Sequence, residues 1–384
     1  MSSQTSIVQT EFAFHGYGKN YVKLLQVRRE GKIHYVKEVE VSTELTLNNT
    51  KDYLLGDNSD IVATDSQKNT VYALARQNGI SCIEKFALLL SEHFLRKYAH
   101  VTKTRVYIEE TPWKRIEVEG REHVHAFILS PESMRHCEVH HERDGKLENR
   151  FYICDMSKLG TGKPLISAGL KNMRVMKTTQ SAFKNFVTDE FRSLPDADDR
   201  LFCTVVQARW WFNTSDVNFD KVWEGVKTTI LETFAGPAEE GIYSPSVQNT
   251  LYLTERSILV KVPQIDKVEM ILPNVHYFGY DFGKLSKIDF TGCKNEAVRP
   301  TAKPPKHPMK NTEQTSTERD AKGTRNVNAQ HRNIKHKGLH INQRDQWATG
   351  ADLGRPSATG ITEGVVILDY VRTCSFTAVS AVVK

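Results

Sequence analysis

The feature that most limits how this chain can fold is a coarse pattern that occurs twice: a strand-like pair, then helical runs, then strand-like runs again. Two stretches carry a single apolar stripe at helical spacing. In 81–100 the stripe is Ile83, Phe86, Ala87, Leu90 and Phe94, and in 218–235 it is Phe219, Val222, Trp223, Val226, Ile230 and Phe234, with Gly236-Pro237 as the stop. A helix of this kind hides one face and needs a sheet to lie on. The runs around it supply the strands. No literal repeat accompanies the repeated pattern. The expected fold is therefore α+β, with two tandem modules joined near residue 140, each an antiparallel sheet covered on one face by helices.

The strand expectations are specific. Residues 12–27 and 33–47 flank Arg29-Glu30-Gly31-Lys32 and predict a hairpin. Residues 101–108 and 124–129 form a second candidate pair. Residues 138–141 and 149–153 flank Arg143-Asp144-Gly145-Lys146, where Asp-Gly readily takes positive φ. Residues 202–212, rich in Val, Trp and Phe, predict another strand. Shorter helices are expected after Thr64-Asp65-Ser66 and after Ser244-Pro245-Ser246, both good N-cap chemistry. From about residue 298 onward, Pro, Lys, Arg, Asn, Gln and Thr replace apolar periodicity. The division expected is 1–140, 141–297 and an atypical, disordered tail over 298–384.

Composition excludes several classes of function. The net charge of +6 suits small anions and weak surface contacts, not the dense basic stripe that nucleic acid requires. The six cysteines are scattered with no C-x-x-C, a pattern expected of a reduced, intracellular protein. The N-terminal residues 1–10 are polar and lack a signal-peptide core, and no apolar run reaches the length of a membrane span. A soluble protein is expected.

Taken singly, the candidate functional segments have ordinary readings. Lys19 in Tyr17-Gly18-Lys19 reads as an exposed lysine, and Ala63-Thr64-Asp65-Ser66 as a helix cap. Ser244-Pro245-Ser246-Val247-Gln248 reads as another cap, and Asn274-Val275-His276-Tyr277-Phe278 as a strand end with a satisfied histidine. In combination, order and separation, these four segments resemble the signature segments of the urate oxidase (uricase) family. The resemblance extends to Val62 through Thr70, Tyr243 through Gln248, Arg121 through Phe127 and Lys177 through Phe183, and covers nearly three quarters of the chain, from residue 10 to about 285.

That resemblance implies a fold of two tunnelling-fold (T-fold) modules whose subunits assemble into a barrel-like tunnel. It implies a homotetramer with active sites at subunit interfaces. It assigns Lys19, Thr64 and His276 as a catalytic proton relay, and Thr64, Asp65, Phe183, Arg200, Val247, Gln248 and Asn274 to substrate binding. Phe183 would stack on the purine, and Arg200 would grip one edge. The Val247 amide and the Gln248 side chain would hold the opposite edge, and Asn274 would stand over the ring where oxygen and then water sit. The reaction implied is oxidation of urate by O2 and water to 5-hydroxyisourate and hydrogen peroxide, with no cofactor and no metal. The residue types suit the task. An arginine fork matches adjacent acceptors on an anion, and a glutamine both donates and accepts. An aromatic face holds a planar ring. Helix N-termini, where Thr64 and Val247 are expected, favour negative charge. A lysine serves as a base near neutral pH only when burial or neighbouring positive charge lowers its pKa.

Two rival readings stand beside this one. His123-Val124-His125 with Cys137, His140 and His141 suggests a metal site, because strand residues two apart share a face. The other is a protein without urate turnover, either a non-catalytic purine- or pterin-binding T-fold protein or an inactive isoform with an altered C-terminus. Val275 stands where the family usually carries Lys. Beyond about residue 285 the likeness fades. The expected origin of the tail is an alternative exon, a retained intron or a shifted reading frame, with a lineage-specific extension as the alternative. By family resemblance the compartment is the peroxisome; Ser157-Lys158-Leu159 is internal, and without a C-terminal targeting tripeptide the compartment expected is the cytoplasm.

Overall fold

The turn at Arg29–Lys32 behaves as its sequence predicts. Gly31 takes φ 62°, and β1 (Tyr17–Glu30) pairs antiparallel with β2 (Ile33–Leu47), Glu30 opposite Ile33. The computed structural model describes residues 10–143, 163–275, 277, 287, 289, 364–366 and 381–383. After this hairpin come α1 (Lys51–Leu55), α2 (Thr64–Asn78) and α3 (Ile83–Lys97), then β3 (Val101–Glu110). β4 (Trp113–Val118) and β5 (Arg121–Leu129) form a two-stranded sheet of their own, and β6 (Met134–Glu142) returns to the main sheet. The second half repeats the order with β7 (Leu165–Lys177), β8 (Phe202–Phe212), α4 (Phe219–Ala235), α5 (Val247–Lys261) and β9 (Ile265–Ile271). Two short strands, β10 (Gly364–Val366) and β11 (Ala381–Val383), pair with β1 and β9. Of the stretch 298–384, these two strands alone lie within the described residues.

Among the described residues the main sheet runs β10-β1-β2-β3-β6-β7-β8-β9-β11, antiparallel at every junction. The class is α+β, as expected. Alternate strand residues supply its buried face: Val39, Val41, Leu45 and Leu47 on β2, and Val206, Ala208, Trp210 and Phe212 on β8. The stripes read from the sequence meet them. Ile83, Phe86, Leu90 and Phe94 of α3 are at most 2% exposed, and Phe219, Val226 and Ile230 of α4 are likewise. Burying each such side chain contributes about 1.5–3 kcal/mol. One cluster of buried residues runs from Val22 to Met270, so both helical layers share a core. An ion pair ties these layers together: Glu84, fully buried on α3, meets Arg135 of β6 at 2.7 Å, and Arg135 also reaches Asp220 of α4 at 2.6 Å.

Three strand and helix expectations need correction. Residues 124–129 do not pair with 101–108: they lie in β5, which pairs with β4, while β3 sits between β2 and β6. The partner of β6 is β7, and the residues 149–153 expected opposite it fall outside the described residues. Helix α2 starts at Thr64 itself, with Ala63 as N-cap and no side-chain capping bond. β8 spans the expected 202–212 and α5 starts behind Ser246, while α1, β4 and β7 have no counterpart among the expectations.

Candidate active site

The functional candidates fall into two groups. The first gathers where β1 meets the start of α2. Gly18 lies so close to β2 that an added Cβ would stand 1.8 Å from the Thr43 carbonyl oxygen; only glycine fits there. Lys19 then pairs with Thr43, and the β-bulge that follows places Tyr21 at φ 59°. Thr43 Oγ1 donates to the buried Gln67 side chain at 2.9 Å, and Gln67 Nε2 donates to the Val62 carbonyl at 3.0 Å. The Val62 amide donates to the Tyr17 hydroxyl at 2.8 Å. These bonds fix the first turn of α2 against the strand carrying Lys19. Thr64 and Asp65 are exposed at that turn. Asp65 is engaged by Lys68 at 2.6 Å and Asn69 at 2.9 Å, and the Lys68 hydrogen bond, with Lys19 a lesser contributor, holds its carboxyl below the usual range.

The second group gathers around the ends of β7, β8 and β9. The Phe183 amide donates to Ala197 O at 2.8 Å, and Ala197 returns the bond at 2.9 Å. The Arg200 amide donates to Ser181 O at 2.8 Å, so the guanidinium lies 5.1 Å from the centre of the Phe183 ring. Arg200 Nε is buried and has no hydrogen-bond partner, and burial lowers the guanidinium's pKa. Ser181 bridges Ser244, and Lys177 Nζ, from the end of β7, donates to Ser244 Oγ at 2.6 Å and Ile242 O at 2.8 Å. This brings α5 alongside: Ser246 Oγ caps it by accepting the Asn249 amide at 3.1 Å, which leaves Val247 and Gln248 as the first residues of the helix. Asn274 bridges Thr204 of β8 and is exposed. His276 lies outside the described residues.

Phe183, Arg200, Val247, Gln248 and Asn274 thus share one neighbourhood, and Lys19, Thr64 and Asp65 share another. Among the described residues no hydrogen bond, ion pair or ring contact joins the two groups. The reading from sequence missed Lys177, Phe186 and Arg192, which buttress the second group. The available signals were the Phe183-x-x-Phe186 spacing and a lysine ending a β run.

Of the suspected metal ligands, His123 and His125 lie side by side, with ring centroids 4.6 Å apart. His123 Nδ1 accepts the amides of His125 and Ala126, Cys137 is in the core, and His140 hydrogen-bonds Glu138. Among the described residues no group of three His, Cys, Asp or Glu could hold a metal ion. Cys82, Cys137 and Cys203 are free thiols, and no described helix is long and apolar enough to cross a membrane.

A uricase family model matches residues 15–140 and 166–308. The chain belongs to the uricase family. It is 49% identical to a uricase of Danio rerio over 73% of this chain and 89% of that one. It is 45% identical to a uricase of Oryctolagus cuniculus over 77% and 91%. Among solved structures, uricase from Arthrobacter globiformis is similar with a TM-score of 0.63 and 31% identity, covering 73% of this chain and 88% of that chain. Bacillus sp. TB-90 urate oxidase, at 20% identity and a TM-score of 0.57, shows likeness of fold over 70% and 91%. The uricase-family match takes in both groups of candidate residues.

Proposed function

We propose that the chain is a urate oxidase that converts urate, O2 and water to 5-hydroxyisourate and hydrogen peroxide. The observation that carries this reading is Arg200. A half-buried guanidinium with a buried, unpartnered Nε beside an aromatic face is an incomplete arrangement, since such a donor costs about 1–3 kcal/mol until something accepts from it. A flat anion completes it. Urate would lie on Phe183, with one edge on Arg200 and the other against the Val247 amide and the Gln248 side chain. The unpaired N–H groups of the α5 N-terminus there favour negative charge.

The dianion of urate gives two electrons to O2, which takes two protons and leaves as hydrogen peroxide. Water then adds at C5 beneath Asn274. Lys19, Thr64 and His276 carry the protons, and Asp65 orients the threonine's turn; neither cofactor nor metal takes part. Lys19 lies on β1 and Arg200 leads into β8, five strand spacings apart in the sheet, roughly 24 Å at about 4.8 Å each. That separation supports a site completed by a second copy of the chain, within a homotetramer of two-module subunits divided near residue 140, closing a tunnel. The family points to the peroxisome as compartment. Loss of urate absorbance with stoichiometric peroxide from the purified assembly tests the reading; an assembled protein that releases no peroxide from urate removes it.

A further inference from the structure

The loop between Phe183 and Ala197 holds an arrangement that the proposed chemistry has not used. Asn185, in the left-handed region at φ 59°, turns the chain so that Phe186 lies back against Phe183. Their ring centroids are 4.6 Å apart and the planes differ by 16°. The Arg192 guanidinium covers the other side of Phe186, 4.0 Å from its centroid. Arg192 is itself held at every nitrogen: Nη2 to Asp196 at 2.6 Å, Nη1 to Thr188 Oγ1 at 2.7 Å and to Phe186 O at 3.4 Å, and Nε to Leu194 O at 3.1 Å. The result is a three-layer stack of Arg192, Phe186 and Phe183 closed by the Phe183–Ala197 backbone pair.

We propose that Phe186 and Arg192 are positioning residues that fix the plane of the Phe183 ring for a stacked purine, an inference that rests on the urate reading above. The physical case is one of restricted motion. A half-buried phenylalanine with both faces free turns about its side-chain torsions, and a guest stacked on it must pay to order the ring. Here one face is already occupied by an offset-stacked ring, itself backed by a cation that favours the π-face. The face left to a guest is the opposite one, near Arg200. A ring ordered in advance contributes to ground state and transition state alike, so its loss weakens binding and leaves the chemical step intact.

The test uses the full assembled chain and two readouts: steady-state urate kinetics, and the Kd for xanthine, a purine anion lacking the third carbonyl. Phe186→Leu is expected to raise both KM and the xanthine Kd roughly two- to tenfold, the worth of one aromatic pair, with kcat within about twofold of the parent. Phe186→Tyr keeps the stack and restores parent values. Arg192→Gln, which leaves both rings in place, shifts KM and Kd in the same direction by less, and decides the matter should Phe186→Leu not fold. Glu190→Gln, on the same loop but outside the stack, changes nothing. Unchanged affinities in Phe186→Leu and Arg192→Gln overturn the inference while the parent's turnover keeps the urate reading. Tighter xanthine binding in Phe186→Leu also overturns it, since the ring would then occupy the guest's own slot. A parent that binds neither purine removes the underlying reading and this inference with it.

Discussion

Helix α2 is preceded by Ala63, which offers no side-chain acceptor, whereas α5 is preceded by Ser246, whose Oγ takes the Asn249 amide. The neighbours differ in the same sense. Around α5 stand a half-buried arginine, an aromatic stack and a lysine clamped on Ser244. Around the start of α2, Thr64 and Asp65 lie in the open, with Lys19 half-buried nearby. One half of the candidate site is buttressed by stacked and half-buried side chains, and the other presents Thr64 and Asp65 outward from a helix turn that Gln67 fixes. A buttressed half suits binding, and an open half suits proton transfer at a surface that something else covers.

The sharpest way to break this contrast is to disable each half separately. Lys19→Met is expected to lower kcat by roughly 10²–10⁴-fold, the usual range for a proton-transfer group, with KM nearly unchanged. Arg200→Gln is expected to lower kcat/KM by about 10²-fold through lost anion binding. Mixed and reassembled, the two impaired chains should recover activity above that of either alone, because a hybrid interface restores one intact site. A mixture as inactive as its parts would mean that both halves serve a single subunit.

A smaller effect tests the α5 side by pH. Glu255 is fully buried on α5. Burial, opposed in part by the Met270 amide and reinforced by the Glu269 charge, pushes its carboxyl up to about 7 from 4.5. A carboxyl raised on folding binds a proton that the unfolded chain has released. Stability therefore falls as pH climbs from 4.5 through 7, by up to about 3 kcal/mol. Glu255→Gln should flatten that fall and melt higher than the parent at pH 8; parallel melting curves across pH 5–8 would exclude the carboxyl as the cause. Smallest of all, Ser246→Ala should cost about 1 kcal/mol and raise the urate KM modestly, while Ala63→Ser should stabilise α2 by a similar amount. Thermal melts of both variants decide whether the capping contrast is energetic or only geometric.

Much of this architecture was legible because its periodicity is strong. The stripes of α3 and α4 and the run Phe202–Phe212 left little choice, and Gly31 marked its turn. The failures have physical causes. β7 carries Gly169 where His136 crowds in, and a register shift between Leu170 and Met173 with Asn172 at φ 63°, so its alternation is broken and its sequence does not announce a strand. β5 has the right residue types, but pairing is a choice among partners that local pattern does not make. The Thr64 hydroxyl suits a cap, but the helix uses the backbone of Ala63 in that place. At the site, the residue types were legible only through family likeness, since no spacing in the sequence announces that Phe183, Arg200 and Val247 meet. The stack beneath Phe183 needs a left-handed asparagine, which sequence alone does not mark.

The position of β8 has a further consequence. The residues just ahead of it hold Arg200 against Ser181, and Thr204 within it bridges Asn274. A single register therefore places both Arg200 and Asn274. Because side chains alternate along a strand, sliding β8 by one position would turn Trp210 out of the core and carry the arginine away from the ring in the same movement. Packing of the core and the placement of these two candidate residues are thus set by one alignment.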